Sequence, residues 1–238
     1  MSITTKEIKI PAADGGAFMA YIAMPEDAEK QSHPAMVVIQ EIFGVNSDMR
    51  KKCDAYAEQG YIAICPDLFW RIEPGVQLVD SEESQLNRAF ELYDLFDEEK
   101  GLTDLKTTLG YIRNMRPCSK KVGAVGYCLG GKLAFMMACH TDVDATVGYY
   151  GVAIDTLVDQ ADGIDSPTML HIAAEDEFVD KDAQRIMNDT LSQHPHVTLC
   201  TYEGVQHAFA RYHGMHYDAE AAQLANSRTD TFFQSHLQ

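Results

Sequence analysis

The sequence has 238 residues, of which 46% are hydrophobic and 23% charged, and this is the balance of a globular protein with a full core. Its 36 acidic and 19 basic residues give a formal net charge of −17. We therefore predict no binding to nucleic acid or to an anionic membrane, because both need clustered Lys and Arg. The amino terminus has no signal-peptide pattern, no apolar run approaches a membrane span, and the six cysteines are scattered. We expect a cytoplasmic protein with reduced thiols.

Short apolar runs separated by turn residues predict an alternation of strands and helices along the chain. The first two runs flank Asp14-Gly15-Gly16 and indicate an antiparallel hairpin. Asn46 or Ser47 is the predicted cap of the first helix, which Gly60 closes. The predicted strands are 8–10, 17–23, 35–40, 61–65, 122–125, 145–150, 168–172 and 197–202. The predicted helices are 47–59, 81–99, 102–115, 132–139, 180–192 and 218–236.

The pattern is interrupted once, between residues 68 and 80, and we interpret this stretch as a loop that forms one wall of a site. Gly101 is taken as the break between the strongly acidic helix 81–99 and the helix 102–115 that follows it. Because the strands alternate with helices, the sequence predicts a mainly parallel, doubly wound α/β sheet. No linker or repeat divides the chain, so we predict a single domain over residues 1–238.

Residues 126–131 read G-Y-C-L-G-G between a predicted strand and a predicted helix, which is the pattern of a nucleophile elbow in the α/β-hydrolase fold. Cys128 occupies the position where serine is usual. Glycines flank it because the turn brings strand and helix too close for a Cβ. The N–H of Leu129 lies at a helix N-terminus and is a predicted oxyanion donor. The second donor is expected after the third strand, at Ile42.

An acid and then a histidine should follow the nucleophile, each after a strand. Asp176 is the first choice for the acid, with Glu175 and Glu177 as open alternatives on spacing alone. His207 follows the last strand and is the predicted base. In such a set the imidazolium favours the thiolate of Cys128, the thiolate attacks a carbonyl carbon, and the acid orients the imidazole ring.

Two histidine pairs elsewhere raise the question of a metal site. His194 and His196 lie on one connector, and His213 and His216 fit one face of a helix. A zinc site needs at least three protein ligands, no third ligand is evident, and the sequence H-E-x-x-H is absent. We therefore predict no metal and no cofactor.

Five motifs together resemble the dienelactone hydrolase (carboxymethylenebutenolidase) family, over residues 3–233. They are Q-E-I-F-G-V-N at 40–46, C-P-D-L-F at 65–69, V-G-Y-C-L-G-G at 125–131, G-Y-Y-G at 148–151 and H-A-F-A-R at 207–211. The resemblance implies a cytosolic, cofactor-free α/β-hydrolase whose triad is Cys128, His207 and Asp176. It also implies that Glu41 contacts the resting thiol. A carboxylate there would keep Cys128 neutral until substrate binds, by like-charge repulsion of the thiolate.

The resemblance further implies that two arginines hold the carboxylate of a dienelactone-type substrate. Arg211, four residues after His207, matches one of them. The second falls at Leu86 or Asn87, so Arg88 and Arg71 are the candidate replacements. Aromatic side chains are candidates for apolar walls of the pocket: Tyr149, Tyr150, Phe43, Phe90 and Trp70.

The sequence thus predicts a hydrolase that cleaves a small lactone or ester, dienelactone-like and carboxylate-bearing, through a cysteinyl acyl-enzyme. Two alternatives stay open. One is a broader carboxylesterase or thioesterase with the same triad, and the other is a non-catalytic relative that uses Cys128 as a thiol sensor. The expected partner is a small-molecule substrate, and the expected assembly is a monomer or a small homo-oligomer.

Overall fold

The computed structural model describes residues 1–238 and contains eight strands, six α-helices and one 3₁₀ helix. The strands are β1 (Ile3–Pro11), β2 (Ala17–Pro25), β3 (His33–Ile39), β4 (Ile62–Pro66), β5 (Cys118–Tyr127), β6 (Ala145–Tyr149), β7 (Thr168–Ala173) and β8 (Val197–Tyr202). The α-helices are α1 (Ser47–Glu58), α2 (Glu83–Leu95), α3 (Glu98–Arg113), α4 (Leu129–His140), α5 (Lys181–Leu191) and α6 (Ala219–Leu237). None of these helices combines the length and apolar character needed to cross a membrane.

The strands form one sheet in the order β1-β2-β4-β3-β5-β6-β7-β8, which confirms the predicted α/β class. The chain also divides into two compact units, residues 1–123 and 124–238. That the whole chain is one domain stays a prediction. In the first unit, β1 and β2 form the predicted hairpin, and β4 pairs antiparallel with β2 and parallel with β3.

The first helix begins where its cap is able to bond the free backbone N–H groups. The side chain of Asn46 accepts from the N–H groups of Asp48 and Met49, so Asn46 is the cap and Ser47 is the first helical residue. Met49, like Cys53 one turn later, is buried on the inner face of α1. The preceding strand β3 is almost entirely buried, as its unbroken apolar run predicts.

The predicted break at Gly101 between the helices 81–99 and 102–115 is wrong. The chain breaks at Phe96 and Asp97, and the Asp97 side chain caps α3 by accepting from the N–H of Lys100. Gly101 lies inside α3, where the ring of Phe96 packs over it. A Cβ at this position would stand 2.4 Å from Phe96 Cζ. The glycine therefore makes room for a neighbouring side chain and does not end a helix.

In the second unit, β6, β7 and β8 pair in parallel. Helix α4 is buried from Leu129 to Cys139, which suits its almost wholly apolar sequence. The 3₁₀ helix, Ile154–Gly163, was not among the predicted elements. Ile154 and Ala161 are buried in a core cluster against which Leu157 and Val158 also pack, so apolar residues at helical spacing were present, but no side-chain cap marks where the helix begins.

Candidate active site

The predicted elbow is a sharp turn between β5 and α4. Cys128 has φ 55° and ψ −117°, which is a strained conformation for a residue with a side chain. Its N–H donates to the carbonyl oxygen of Tyr149 at 3.0 Å. A Cβ on Gly126 would lie 1.8 Å from the oxygen of Gly130, and one on Gly131 would lie 2.6 Å from the oxygen of Tyr149. Only glycine fits at these two positions, which is the steric requirement that the motif indicated.

The residue after the cysteine opens a helix. Leu129 is the first residue of α4, and the carbonyl of Cys128 accepts from the N–H groups of Gly131 and Lys132 at 2.9 and 3.2 Å. The N–H of Leu129 belongs to the first turn, where backbone donors have no acceptor within their own helix. This N–H sits beside the nucleophile position, at the positive end of the helix dipole.

Asp176 and His207 are 31 residues apart in the chain, and their side chains are in contact. Nδ1 of His207 lies 2.8 Å from Oδ2 of Asp176 and 3.1 Å from Oδ1. Both residues are buried. Because a carboxylate only accepts hydrogen bonds, Nδ1 carries the proton that it donates to Asp176. The other ring nitrogen, Nε2, is left for the interaction with Cys128.

The two alternative acids lie in different surroundings. Glu175 and Glu177 are exposed, and Oε1 of Glu175 is 3.3 Å from Nζ of Lys181. Only Asp176 is buried against His207. The geometry therefore selects the middle of the three adjacent acids, which spacing alone did not decide.

The charge on His207 depends on its neighbours. Burial is the largest influence and lowers the pKa of the imidazole, but the negative charge of Cys128 and the hydrogen bond to Asp176 outweigh it and raise the pKa from 6.5 to about 10. The buried Nε2 atom makes no hydrogen bond of standard geometry. The Cys128 sulfur nevertheless interacts with the ring.

Two aromatic rings flank His207. The ring of Tyr150 lies 5.1 Å from the imidazole, centroid to centroid, at 63° between planes. The ring of Phe178 lies 4.8 Å away at 76°. Tyr150 has φ 38°, a strained value for a bulky residue. Phe178 was not among the predicted site residues, and its only signal in the sequence is its place two residues after Asp176.

The other predicted tyrosine belongs to a polar network in the core. The hydroxyl of Tyr149 lies 3.0 Å from Oδ1 of Asn226 and 2.7 Å from Oγ1 of Thr229, both on α6. His171 lies 2.8 Å from the same Thr229 oxygen, and its Nδ1 lies 2.8 Å from the hydroxyl of Tyr202. The Tyr149 hydroxyl is engaged by α6, and its predicted role in substrate binding stays a prediction.

The segment after His207 consists of turns. Arg211 is half-buried there, and its N–H donates to the carbonyl of Ala208 at 2.9 Å. The interpretation that His213 and His216 share a helical face is wrong, because α6 begins only at Ala219. Nδ1 of His216 lies 3.3 Å from the backbone oxygen of His207, so this residue borders the site by its ring.

Two further predicted site residues lie in the first unit, directly after β3. Glu41 and Ile42 are 2% and 6% exposed. The neighbouring Gln40 donates from Nε2 to the backbone oxygen of Glu41 at 3.2 Å and accepts at Oε1 from the N–H of Leu68 at 3.0 Å. These bonds fasten the predicted 68–80 loop to the end of β3. The roles of Glu41 in thiol activation and of Ile42 as an oxyanion donor stay predictions.

The two candidate replacement arginines are each held by two carboxylates. Arg71 pairs with Asp104, which is fully buried, and with Asp14 at 2.6 Å, and its guanidinium lies 4.3 Å from the ring centre of Trp70. Burial lowers the pKa of Arg71, but the bonds to Asp104 and Asp14 raise it further than burial lowers it. These contacts anchor the loop, so they account for Arg71 without a substrate.

Arg88 is half-buried on α2. Its Nη2 lies 2.5 Å from Oε2 of Glu73 and its Nη1 lies 2.7 Å from Oε2 of Glu91. Binding a substrate carboxylate would require this guanidinium to leave two existing partners. The substrate-binding roles of Arg88 and Arg71 stay predictions.

Known proteins similar to this chain agree with the motifs. Residues 18–237 match the model of the dienelactone hydrolase family. A putative carboxymethylenebutenolidase of Azospirillum brasilense is 48% identical over 97% of this chain and 99% of its own, and a carboxymethylenebutenolidase of Pseudomonas putida is 38% identical over 94% of both. The crystal structure of a putative dienelactone hydrolase from Klebsiella pneumoniae is 25% identical, covers 99% of this chain and 100% of its own, and has a TM-score of 0.87.

Proposed function

The chain belongs to the dienelactone hydrolase family of ester hydrolases, and from this premise we propose that it cleaves a small, carboxylate-bearing lactone or ester through a cysteinyl acyl-enzyme. Cys128 is the nucleophile, His207 the general base and acid, and Asp176 the group that orients the imidazole. The expected substrate class is dienelactone-like. The observation that carries the proposal is the buried His207–Asp176 pair with the Cys128 sulfur acting on the same ring.

The reaction follows from these positions. The Cys128 thiolate forms a bond to the substrate carbonyl carbon, and the carbonyl electrons move to the oxygen, beside the Leu129 N–H. Collapse breaks the ester C–O bond, and His207 gives its proton to the leaving oxygen. Water then attacks the thioester, His207 takes a proton from it, and the thiolate leaves. One ester and one water become one acid and one alcohol or enol.

Trapping the intermediate tests this mechanism. Wild-type protein mixed with a slow carboxylate-bearing lactone and quenched in acid should carry the acyl mass on the peptide that contains Cys128. The Cys128→Ala variant should carry none and should lose turnover. Reversible oxidation of Cys128 without an adduct from any lactone or ester would favour the thiol-sensing alternative.

Selectivity for an anionic substrate rests on Arg211, which follows His207 by four residues as the family motif requires. The Arg211→Gln variant should lose about tenfold to a hundredfold in kcat/KM for a lactone that bears a carboxylate, and little for its neutral analogue. Arg88→Gln is the matched control, because its charge is already taken up by Glu73 and Glu91. Equal losses on both substrates would remove the arginine from the proposal.

The broader ester-hydrolase alternative has one observation in its favour. Both candidates for the second arginine, Arg71 and Arg88, are bound by carboxylates of the protein. A single arginine would hold a carboxylate less selectively than two. If wild-type protein prefers the neutral lactone over its carboxylate analogue, this alternative replaces the dienelactone-like one.

Glu41 has a separate proposed role in controlling the thiol. It is buried, and burial strengthens any effect of its charge on neighbouring groups. Glu41→Gln should make Cys128 react faster with iodoacetamide when no substrate is present. If alkylation and turnover are both unchanged, Glu41 has no part in gating the thiol.

A further inference from the structure

Phe178 contacts both Asp176 and His207. Its backbone N–H donates to Oδ1 of Asp176 at 2.9 Å. Its ring lies 4.8 Å from the ring of His207, nearly perpendicular to it. The same residue therefore fixes the acid through the main chain and meets the base through the side chain.

The exposure of Phe178 is unusual for a residue with such contacts. Half of the residue is open to solvent, whereas Asp176 and His207 are 6% and 4% exposed. Half-exposed phenylalanine contributes little to the hydrophobic core. Its ring instead covers part of His207. The imidazole contacts two aromatic rings, those of Tyr150 and Phe178.

Covering the imidazole restricts its motion. Two rings at 63° and 76° to the imidazole plane limit rotation of the His207 side chain, so that Nδ1 stays on Asp176. This restraint favours the orientation of His207 in which the imidazole bonds to Asp176.

We propose that Phe178 is a positioning residue that holds the His207 ring on Asp176 and thereby keeps the imidazole oriented for its action on Cys128. The proposal rests on the proposed function only for its effect on turnover, since the state of the thiol is measurable without a substrate. Within the second unit, Cys128 and Asp176 act on His207 by charge, Tyr150 meets its ring, and His216 bonds to its backbone oxygen.

The test compares Phe178→Leu with Phe178→Tyr. Leucine keeps an apolar side chain and the backbone N–H to Asp176 but removes the ring, whereas tyrosine keeps the ring. The rate of iodoacetamide alkylation of Cys128 is measured from pH 5 to pH 10. We expect the leucine variant to react about threefold to tenfold more slowly at neutral pH, with its profile displaced, and the tyrosine variant to match wild type.

A second Phe–His contact in the same unit supplies the matched control. The rings of Phe232 and His236 lie 4.7 Å apart at 66°, on α6. Phe232→Leu should leave the alkylation profile of Cys128 unchanged. Circular dichroism and thermal unfolding of all variants separate a local effect from loss of folding, and the Tyr variant keeps the proposal testable if the Leu variant unfolds.

Turnover distinguishes positioning from substrate contact. A positioning residue lowers kcat and displaces the pH profile, with KM for the lactone unchanged. If Phe178→Leu raises KM alone, or leaves the alkylation profile at its wild-type position, the proposal is wrong. If wild-type protein hydrolyses no lactone but Phe178→Leu still displaces the alkylation profile, the positioning role stands and the proposed hydrolase function fails.

Discussion

The regions around His207 and His171 hold two buried histidines with opposite charge behaviour. His171 lies in β7, and burial lowers its pKa from 6.5 to about 3, with a smaller effect of Arg228 in the same direction. His207 is nearly as buried, yet its pKa is raised to about 10. The difference lies in their partners: His171 bonds to two neutral hydroxyls, and His207 bonds to a carboxylate beside a thiol.

The comparison shows that burial alone does not decide the state of a histidine. Burial disfavours the charged imidazolium in both regions, and only a compensating negative charge reverses the outcome. A neutral histidine satisfied by hydroxyls serves to hold the strands to α6. A charged histidine beside a thiol is a perturbed titratable group of the kind found at functional sites.

Replacing Asp176 with Asn should have the largest effect, because it removes the carboxylate that bonds to His207 and leaves Cys128 as the remaining influence that raises the pKa of the imidazole. An amide neither stabilises the imidazolium nor enforces the tautomer with the proton on Nδ1. We expect kcat for a lactone to fall by about 10³- to 10⁴-fold, with slower alkylation of Cys128 at neutral pH. Steady-state kinetics on freshly folded protein measures this fall in kcat. A loss below tenfold would mean that the carboxylate does not orient the base.

His171→Leu should instead reduce stability. The change leaves the hydroxyl of Tyr202 without its imidazole partner in the core, and removes one of the two bonds of Thr229. We expect the free energy of unfolding to fall by about 2–4 kcal/mol, measured by urea denaturation. The control is His140→Leu, because His140 bonds to Gln160 at an exposed position. Equal losses in the two variants would contradict a special role for the buried network.

The two histidines should also make the free energy of unfolding depend on pH in opposite directions. His171 has a lowered folded pKa, so its contribution is present above pH 6.5 and is lost as the pH falls toward 3. His207 has a raised folded pKa, so its contribution is full below pH 6.5 and is lost as the pH rises through 10. We expect each change to be about 2–4 kcal/mol.

The unfolding free energies of wild type and variants are measured at pH 4, 7 and 10. Each variant is compared with wild type at the same pH, because carboxylates titrate in the acid range in every protein. His171→Leu should flatten the acid side of the stability curve, and Asp176→Asn should flatten the alkaline side in part, because Cys128 still acts on His207. If either variant flattens the opposite side, the assignment of the two windows to the two histidines is wrong.

Thr229→Val should have the smallest effect. Its hydroxyl lies between Tyr149 and His171, but each keeps a second partner, Asn226 and Tyr202 respectively. We expect a loss of about 1–2 kcal/mol in unfolding free energy and no change in kcat. A fall in kcat of more than about threefold would connect the His171 network to catalysis.

How much of the molecule was predictable depended on whether the physical cause was local. The capped helix α1, the buried strand β3 and the elbow were read correctly, since capping, apolar runs and glycine contacts act within a few residues. Gly101 was misread because Phe96, not the backbone, requires it. The 3₁₀ helix Ile154–Gly163 was missed although its apolar residues have helical spacing, and it has no side-chain cap that would mark its start.

The sequence by itself determined that Cys128 stands on a sharp turn between a strand and a helix, because the flanking glycines are a local consequence of steric crowding. It also placed a histidine and three adjacent acids after later strands. Only the tertiary structure decided that Asp176 is the acid that bonds His207, since the two are 31 residues apart and meet only where parallel strands end side by side. It also brought Phe178 onto the imidazole, a contact between side chains that no spacing encodes.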